Sequence, residues 1–168
     1  MFFARTKKQS NNLGMSREKD PLKTRQAAKK KVMDLIARRD HSEKELRTKL
    51  REKFSDEEDL GDIVDEAIDF AKDNNWLGDP KDLAHRLADM LHRRNKGIHY
   101  INNYLREKGL PSVETDRDLE LEKALSIVKN KYDEDYKFSR EDKARVGRLL
   151  ASRGFDSETV RKVIYEKL

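Results

Sequence analysis

The sequence predicts an all-α protein: an elongated tandem array of three-helix repeats carrying a disordered basic N-terminal arm. Three observations predict it. Arg38-Arg39-Asp40 leads to Leu50-Arg51-Glu52-Lys53, and Arg93-Arg94-Asn95 leads to Leu105-Arg106-Glu107-Lys108, both at an offset of 55. One shift that aligns two separate helix ends marks a duplicated multi-helix unit. Val146, Leu150, Arg153 and Gly154 then repeat Ile101, Leu105, Lys108 and Gly109 at an offset of 45. Lastly, only 35% of the 168 residues are hydrophobic and 42% are charged, which suits several small cores in a row better than one deep core. The expected division is an arm over 1–23, repeat 1 over 24–78, repeat 2 over 79–116 with a shortened third helix, and repeat 3 over 117–168.

The elements follow in order. Residues 1–23 are polar and basic without an apolar period, and Ser10-Asn11-Asn12 and Gly14 interrupt any helix. From Thr24 to Arg39, Ala28, Val32, Leu35 and Ile36 form a stripe at helical spacing. Ser42-Glu43-Lys44-Glu45 has the form of a capping box and opens a second helix with Leu46 and Leu50 inward, closed by Phe54. A third helix over Leu60 to Asn74 offers Ile63, Val64, Ala67, Ile68 and Ala71 to a core, with Phe70 and Trp76 near its end.

Asp79-Pro80 opens the second repeat as N-cap and first helical residue, and Leu83, Ala84, Leu87, Ala88 and Leu91 give its stripe. A short helix from Ile98 to Lys108 uses Ile101 and Leu105, and Gly109 supplies a left-handed stop. Between Pro111 and Glu120 the segment is short and polar, so a third helix there is either a turn or part of the next helix. Leu121, Ala124, Leu125 and Val128 pattern a helix reaching Tyr132. Ser139-Arg140-Glu141-Asp142 starts another, with Val146, Leu149 and Leu150 inward and Gly154 at its stop, and Val160, Val163 and Ile164 suit a last short helix.

Charge is segregated beneath a formal net +5. Residues 1–31 hold ten Lys or Arg against Glu18 and Asp20, and residues 55–92 hold twelve acids against Lys72, Lys81 and Arg86. Basic charge returns over 93–108 and 137–153, a distribution that orients a molecule toward a polyanion or a patterned protein surface. No apolar run approaches the roughly 20 residues needed to span a bilayer, and no signal-peptide stretch is seen at the N-terminus, so the expectation is a soluble cytoplasmic protein. The chain has no cysteine, hence no disulfide, thiolate nucleophile or cysteine-bound zinc. His41, His85, His92 and His99 are dispersed without metal spacing, and no glycine loop for phosphate occurs. The expectation is no catalytic site, no metal and no cofactor.

The run Ile36-Ala-Arg-Arg-Asp-His-Ser-Glu-Lys-Glu-Leu46-Arg-Thr-Lys-Leu50 closely resembles the first repeat of the RecX family, regulators of the bacterial recombinase RecA. Trp76-Leu77-Gly78-Asp79 resembles that family's junction between first and second repeats. Lys96-Gly97 through Leu105-Arg-Glu-Lys-Gly-Leu110 resembles its second-repeat helix, and Phe138-Ser139 to Arg153-Gly154-Phe155 matches the third more loosely. The resemblance covers about residues 27 to 168. It implies a monomeric array that docks along the groove of a RecA filament on single-stranded DNA, touching the DNA directly or through RecA, and restrains strand exchange, ATP turnover and RecA-promoted repressor cleavage. Two departures stand out. Tyr100 precedes Ile101 where the family often has a basic residue, and the stretch after Gly109 is short.

The candidate contact residues for RecA or DNA are Arg38, Arg39, Arg47, Arg51, Arg93, Arg94, Lys96, Lys108, Arg145, Arg148 and Arg153, each near a repeat junction or on the basic side of a second helix. Arginine pairs bidentately with carboxylate or phosphate. The plainer role for Arg38, Arg39, Arg93 and Arg94 is to complement the last carbonyls of a helix. Two other readings remain open: a general nucleic-acid-binding helical protein, and an interaction scaffold using the acidic 55–92 face.

Overall fold

The computed structural model describes residues 20–167, and those residues contain eight α-helices, a closing π-turn and no strand. The helices are α1 (Pro21–Ile36), α2 (Glu43–Lys53), α3 (Leu60–Asp73), α4 (Pro80–His92), α5 (Ile98–Glu107), α6 (Arg117–Lys129), α7 (Arg140–Ser152) and α8 (Ser157–Lys162), with the π-turn over Val163–Lys167. All but the last four residues of the expected arm lie outside the described residues.

Those four correct the start of α1. Asp20 accepts a hydrogen bond from the Leu22 amide and Pro21 is the first helical residue, so the helix begins before Thr24. The same device opens α4, where Asp79 accepts from the Lys81 amide ahead of Pro80. At the other end α1 stops at Ile36, so Arg38 and Arg39 lie beyond its last turn, and Arg93 caps α4 with Arg94 following. None of the four sits within a last helical turn as the sequence suggested.

Three separate cores form in chain order. Ala28, Val32 and Leu35 of α1 meet Leu46 and Leu50 of α2 and Ile63, Val64, Ala67, Ile68 and Ala71 of α3. Removing a side chain such as Leu46 or Leu50 from water contributes about 1.5–3 kcal/mol. Phe70 and Trp76 close this repeat edge to face, 5.2 Å between ring centroids. The third core joins Ala124, Ile127 and Val128 of α6, Val146 and Leu150 of α7, Phe155 and Val163. On α6 the buried face is Glu120, Lys123, Ala124, Ile127 and Val128, a stripe rotated from the apolar one predicted through Leu121 and Leu125, which are only partly buried.

The second core has two helices, α4 and α5, and no third. Leu83, Ala84, Ala88 and Leu91 pack on Ile101 and Leu105, with Leu110 and Val113 closing the open side. Residues 110–116 form a non-helical strap. Pro111 supplies no amide hydrogen and biases Leu110 away from helix. The Asn102 amide then pins the strap: its Nδ2 donates to the Val113 carbonyl (3.1 Å) and its Oδ1 accepts from the Val113 amide (2.9 Å). The side chain of Asp116 accepts from the Asp118 and Leu119 amides and starts α6, so the Pro111–Glu120 stretch is strap followed by helix cap.

Four helices end in one way. At Asn75, Asn95, Gly109 and Gly154 the backbone turns left-handed, and the next amide reaches back five residues: Trp76 to Ala71, Lys96 to Leu91, Leu110 to Leu105 and Phe155 to Leu150. This double-bonded stop satisfies orphan carbonyls and, at Leu110 and Phe155, seats a buried side chain on the core it has just left.

Replacing Asn102 by Ala removes both bonds to Val113 and is expected to lower unfolding free energy by about 1–3 kcal/mol. The neighbouring exposed Asn103→Ala is expected to stay within about 0.5 kcal/mol of the parent. Urea unfolding of the two variants checks this.

Candidate functional site

The repeats are joined at the ends of their middle helices. At the first junction the N-terminus of α2 meets the C-terminus of α5: the Ser42 hydroxyl donates to the Lys108 carbonyl at 2.5 Å while accepting from the Glu45 amide at 3.2 Å. At the second junction the N-terminus of α5 meets the C-terminus of α7, with the Gly97 amide donating to the Arg153 carbonyl and the His99 amide to the Gly154 carbonyl, each at 2.9 Å. Ser42 and Gly97 are equivalent at the offset of 55, and Lys108 and Arg153 at the offset of 45. One docking geometry is therefore used twice. It sets the partly positive end of one helix against the partly negative end of the next.

The second junction is the closer. A Cβ at Gly97 would overlap the backbone of Gly154 and Phe155, and one at Gly154, where φ is +85°, would lie 2.5 Å from the Tyr100 Cβ. Beneath it is a buried polar cluster. Glu120, 1% exposed, accepts from the Ile98 amide at 3.0 Å and pairs with Lys123, itself 5% exposed. The Lys123 ammonium also donates to the Lys96 carbonyl (2.6 Å) and to His92 Nδ1 (2.8 Å). Burial and the Lys123 charge hold the His92 imidazole below its ordinary pKa, which keeps it the neutral acceptor that Lys123 requires. Neither Glu120 nor Lys123 was read as a core residue from sequence. The signal was their i, i+3 spacing and their fit with Ala124, Ile127 and Val128 on one face of α6.

The outward faces of the three middle helices follow from this docking. Lys44, Thr48 and Arg51 of α2, His99, Asn103 and Arg106 of α5, and Ala144, Arg148 and Ala151 of α7 are all exposed. The second triplet follows the first by 55 residues and the third follows the second by 45. Through the two offsets they hold equivalent positions, a strip over α2, α5 and α7 in register with the repeats, and across the first junction Lys44 Nζ lies 3.5 Å from the Arg106 carbonyl. Lys44 and Arg106, not among the residues singled out from sequence, lie on this face, Arg106 at the position equivalent to Arg51.

The predicted residues divide by what already holds them. Arg38, Arg51, Arg93, Arg94 and Arg148 are exposed. Arg39 pairs with Glu45 (3.1 Å) and donates to the Asp40 carbonyl (2.8 Å), and Lys108 pairs with Glu45 at 2.5 Å. Arg47, half-buried, ties α2 to α3 at the surface of the first repeat, joining Glu43 at 2.8 Å and Asp65 of α3. Arg145 lies near Asp142 (3.5 Å) and Glu141 (3.9 Å) on its own helix. Lys96 places its ammonium 4.3 Å from the centroid of the Tyr100 ring, and the Arg153 side chain is half-buried at the second junction. The acidic stretch is also partly occupied: Glu66 binds Arg25 and Lys29 of α1 at 2.7 Å each.

Glu45 is the electrostatic centre of the first junction. Burial raises its pKa, but bonds from Lys108, Arg39 and the Ser42 amide outweigh that and leave it at about 2. No group of three or more metal-binding side chains occurs among the described residues, nor any helix long and apolar enough to cross a membrane.

Comparison with known proteins agrees with this architecture. Residues 28–70 match the first three-helix domain of RecX, and residues 118–164 match its third three-helix domain. The Regulatory protein RecX of Leptothrix cholodnii is 31% identical over 144 residues, spanning 81% of this chain and 86% of that protein. The RecX of Clostridioides difficile is 29% identical over 153 residues, spanning 84% of this chain and 68% of that one. The crystal structure of RecX from Lactobacillus salivarius superposes with a TM-score of 0.68 at 19% identity, covering 86% and 97% of the two chains, which shows the shared fold.

Two outcomes follow from the junctions. Because the folded Glu45 carboxyl has a depressed pKa, its contribution is present above about pH 4.5 and is lost as pH falls toward 2. Glu45→Gln is expected to be less stable than the parent by about 1–3 kcal/mol at pH 7, the gap closing in acid, as read from urea unfolding across pH. Gly97→Ala is expected to be destabilised by about 1–3 kcal/mol through overpacking, whereas Gly61→Ala, whose Cβ would meet nothing within 4 Å, is expected to be neutral or stabilised.

Proposed function

The chain belongs to the RecX family, and on that premise we propose that it binds RecA filaments on single-stranded DNA and restrains their recombinase, ATPase and coprotease activities. The observation that carries this is the strip over α2, α5 and α7. A filament repeats its protomers along a groove, and the complementary ligand for such a groove is a surface that also repeats. The two junctions present equivalent edges at equivalent positions, each preceded by an arginine pair, Arg38 and Arg39 or Arg93 and Arg94. A strip with cations along it meets both anionic surfaces a filament offers, acidic protein side chains and the DNA backbone.

In this reading the protein acts by occupying surface, with no bond made or broken by its own residues. Arg51, Arg106, Arg148 and Lys44 face the partner from the strip, and Arg38, Arg93 and Arg94 flank it. Arg47 and Lys108 support the strip, because their charges are already paired within and between repeats. The active species is a single copy of the chain, since the repetition needed to match a filament is internal.

The test is RecA ATPase and strand exchange on single-stranded DNA with substoichiometric protein added. The parent is expected to depress both. Arg93→Ala with Arg94→Ala is expected to raise the concentration needed for half-inhibition about tenfold, as loss of about 1.4 kcal/mol of binding would. A folded parent protein that leaves both activities unchanged contradicts the proposal. Unchanged inhibition by the double variant removes that arginine pair from the contact surface.

A further inference from the structure

The two junctions share backbone geometry but not charge. At the first, Arg39 and Lys108 converge on Glu45. Under the offsets of 55 and 45 the corresponding residues at the second are Arg94, Arg153 and Tyr100. A tyrosine thus stands where the carboxylate stood, and the two cations that it would neutralise lack their counterion. Neither Arg94 nor Arg153 has a side-chain hydrogen bond or ion pair within the described residues. Lys96 adds a third cation, laid over the Tyr100 ring at 4.3 Å, where the first junction has the buried His41. Tyr100 is 38% exposed, one of few large aromatic residues on the surface of the described residues.

The acids around the junction are engaged elsewhere: Asp156, beside His99, accepts from the Thr159 amide and hydroxyl, and Glu158 pairs with Arg117 at 3.3 Å. Glu120 is turned inward onto Lys123 and the Ile98 amide. The helix N-terminus of α5 is also closed: the Gly97, Ile98 and His99 amides all donate to Arg153, Glu120 and Gly154. An anion at this junction is therefore held by side chains alone.

We infer that the second junction, Tyr100 with Lys96, Arg94 and Arg153, is a direct binding site for single-stranded nucleic acid, the tyrosine stacking a base and the cations taking the flanking phosphates. Uncompensated cations around an exposed aromatic face are the combination that unpaired strands require: charge for the backbone, and a π-surface available only to an unstacked base. The first junction has the same positions closed by Glu45 and does not bind. The inference deepens the filament reading and rests on it for its biological setting, but its test does not involve RecA.

The decisive variant transplants the first junction's carboxylate into the second. Tyr100→Glu removes the ring and supplies a partner for Arg94 and Arg153. An acid in the first turn of α5 also favours the helix, so folding is expected to be kept. Binding of a fluorescently labelled oligodeoxythymidylate is read by anisotropy at low salt, with helicity checked by circular dichroism. The parent is expected to bind, Tyr100→Phe to bind within about twofold of it, and Tyr100→Glu to bind about tenfold or more weakly. Tyr100→Glu that binds like the parent overturns the site. So does a parent that restrains RecA yet binds no oligonucleotide, an outcome that leaves the filament reading intact. If Tyr100→Glu misfolds, Arg94→Glu at the exposed edge gives the same reading, and unchanged affinity there likewise overturns the site.

Discussion

A helix leaves its first amides and last carbonyls without partners, and at its two junctions this chain meets that constraint between repeats as well as within them. The Lys108 carbonyl accepts from the Ser42 hydroxyl, and the Arg153 carbonyl accepts from the Gly97 amide. In each case the end of one middle helix completes the end of another. Donor and acceptor positions are equivalent in the two junctions, but the donating group differs. Serine reaches across with a hydroxyl, whereas glycine lets the backbones touch and gives its own amide. Everything on the outward surface depends on this. Three cores, each of modest size, become one array because α2, α5 and α7 are fixed end against end, and the exposed faces of those helices then share a strip.

With the backbone geometry repeated, the chain is free to vary the chemistry placed on it. Glu45 makes the first junction a closed ionic knot of Arg39, Glu45 and Lys108 that consumes its own charge. At the second, stability is moved beneath the surface to Glu120, Lys123 and His92, and the surface positions are left cationic around Tyr100. A buried ion pair is expensive to break once formed, because removing either partner strands the other charge away from water. With that pair inside, Arg94 and Arg153 above it have no side-chain ion pair among the described residues. The departure of Tyr100 from the basic residue common in the family thus adds an aromatic face to a cationic surface.

Much of the fold was legible because its signals are local. The capping box at Ser42 and the glycine stops at 109 and 154 all lie within a few residues of the structure they specify, and the repeat offsets located the junctions. The start of α1 was hidden because Asp20-Pro21 sits inside a basic, polar stretch, although the same dipeptide form was recognised at Asp79-Pro80. The strap after Gly109 was half legible: Pro111 argued against a helix, but that Asn102 would hold the strap is a contact eleven residues away from Val113. Glu120 and Lys123 escaped because a charged residue on a helix is read as solvent-facing, and only tertiary packing shows that the two neutralise each other inside. As for the contact candidates, charge and position identified cations but not which were already paired. Arg47 and Lys108 have carboxylates supplied by other helices, and those pairings follow from three-dimensional docking.

The central claim is that the outward strip of α2, α5 and α7 is the surface presented to a RecA filament. Its most direct measurement is a cryo-electron-microscopy reconstruction of this protein bound to RecA assembled on single-stranded DNA. The account predicts density for the array lying in the filament groove with Arg51, Arg106 and Arg148 turned toward RecA or the strand, and with Tyr100 at the second junction facing the DNA. A complex in which this strip faces solvent, with contact made through the α3 acids or through α8, would contradict it.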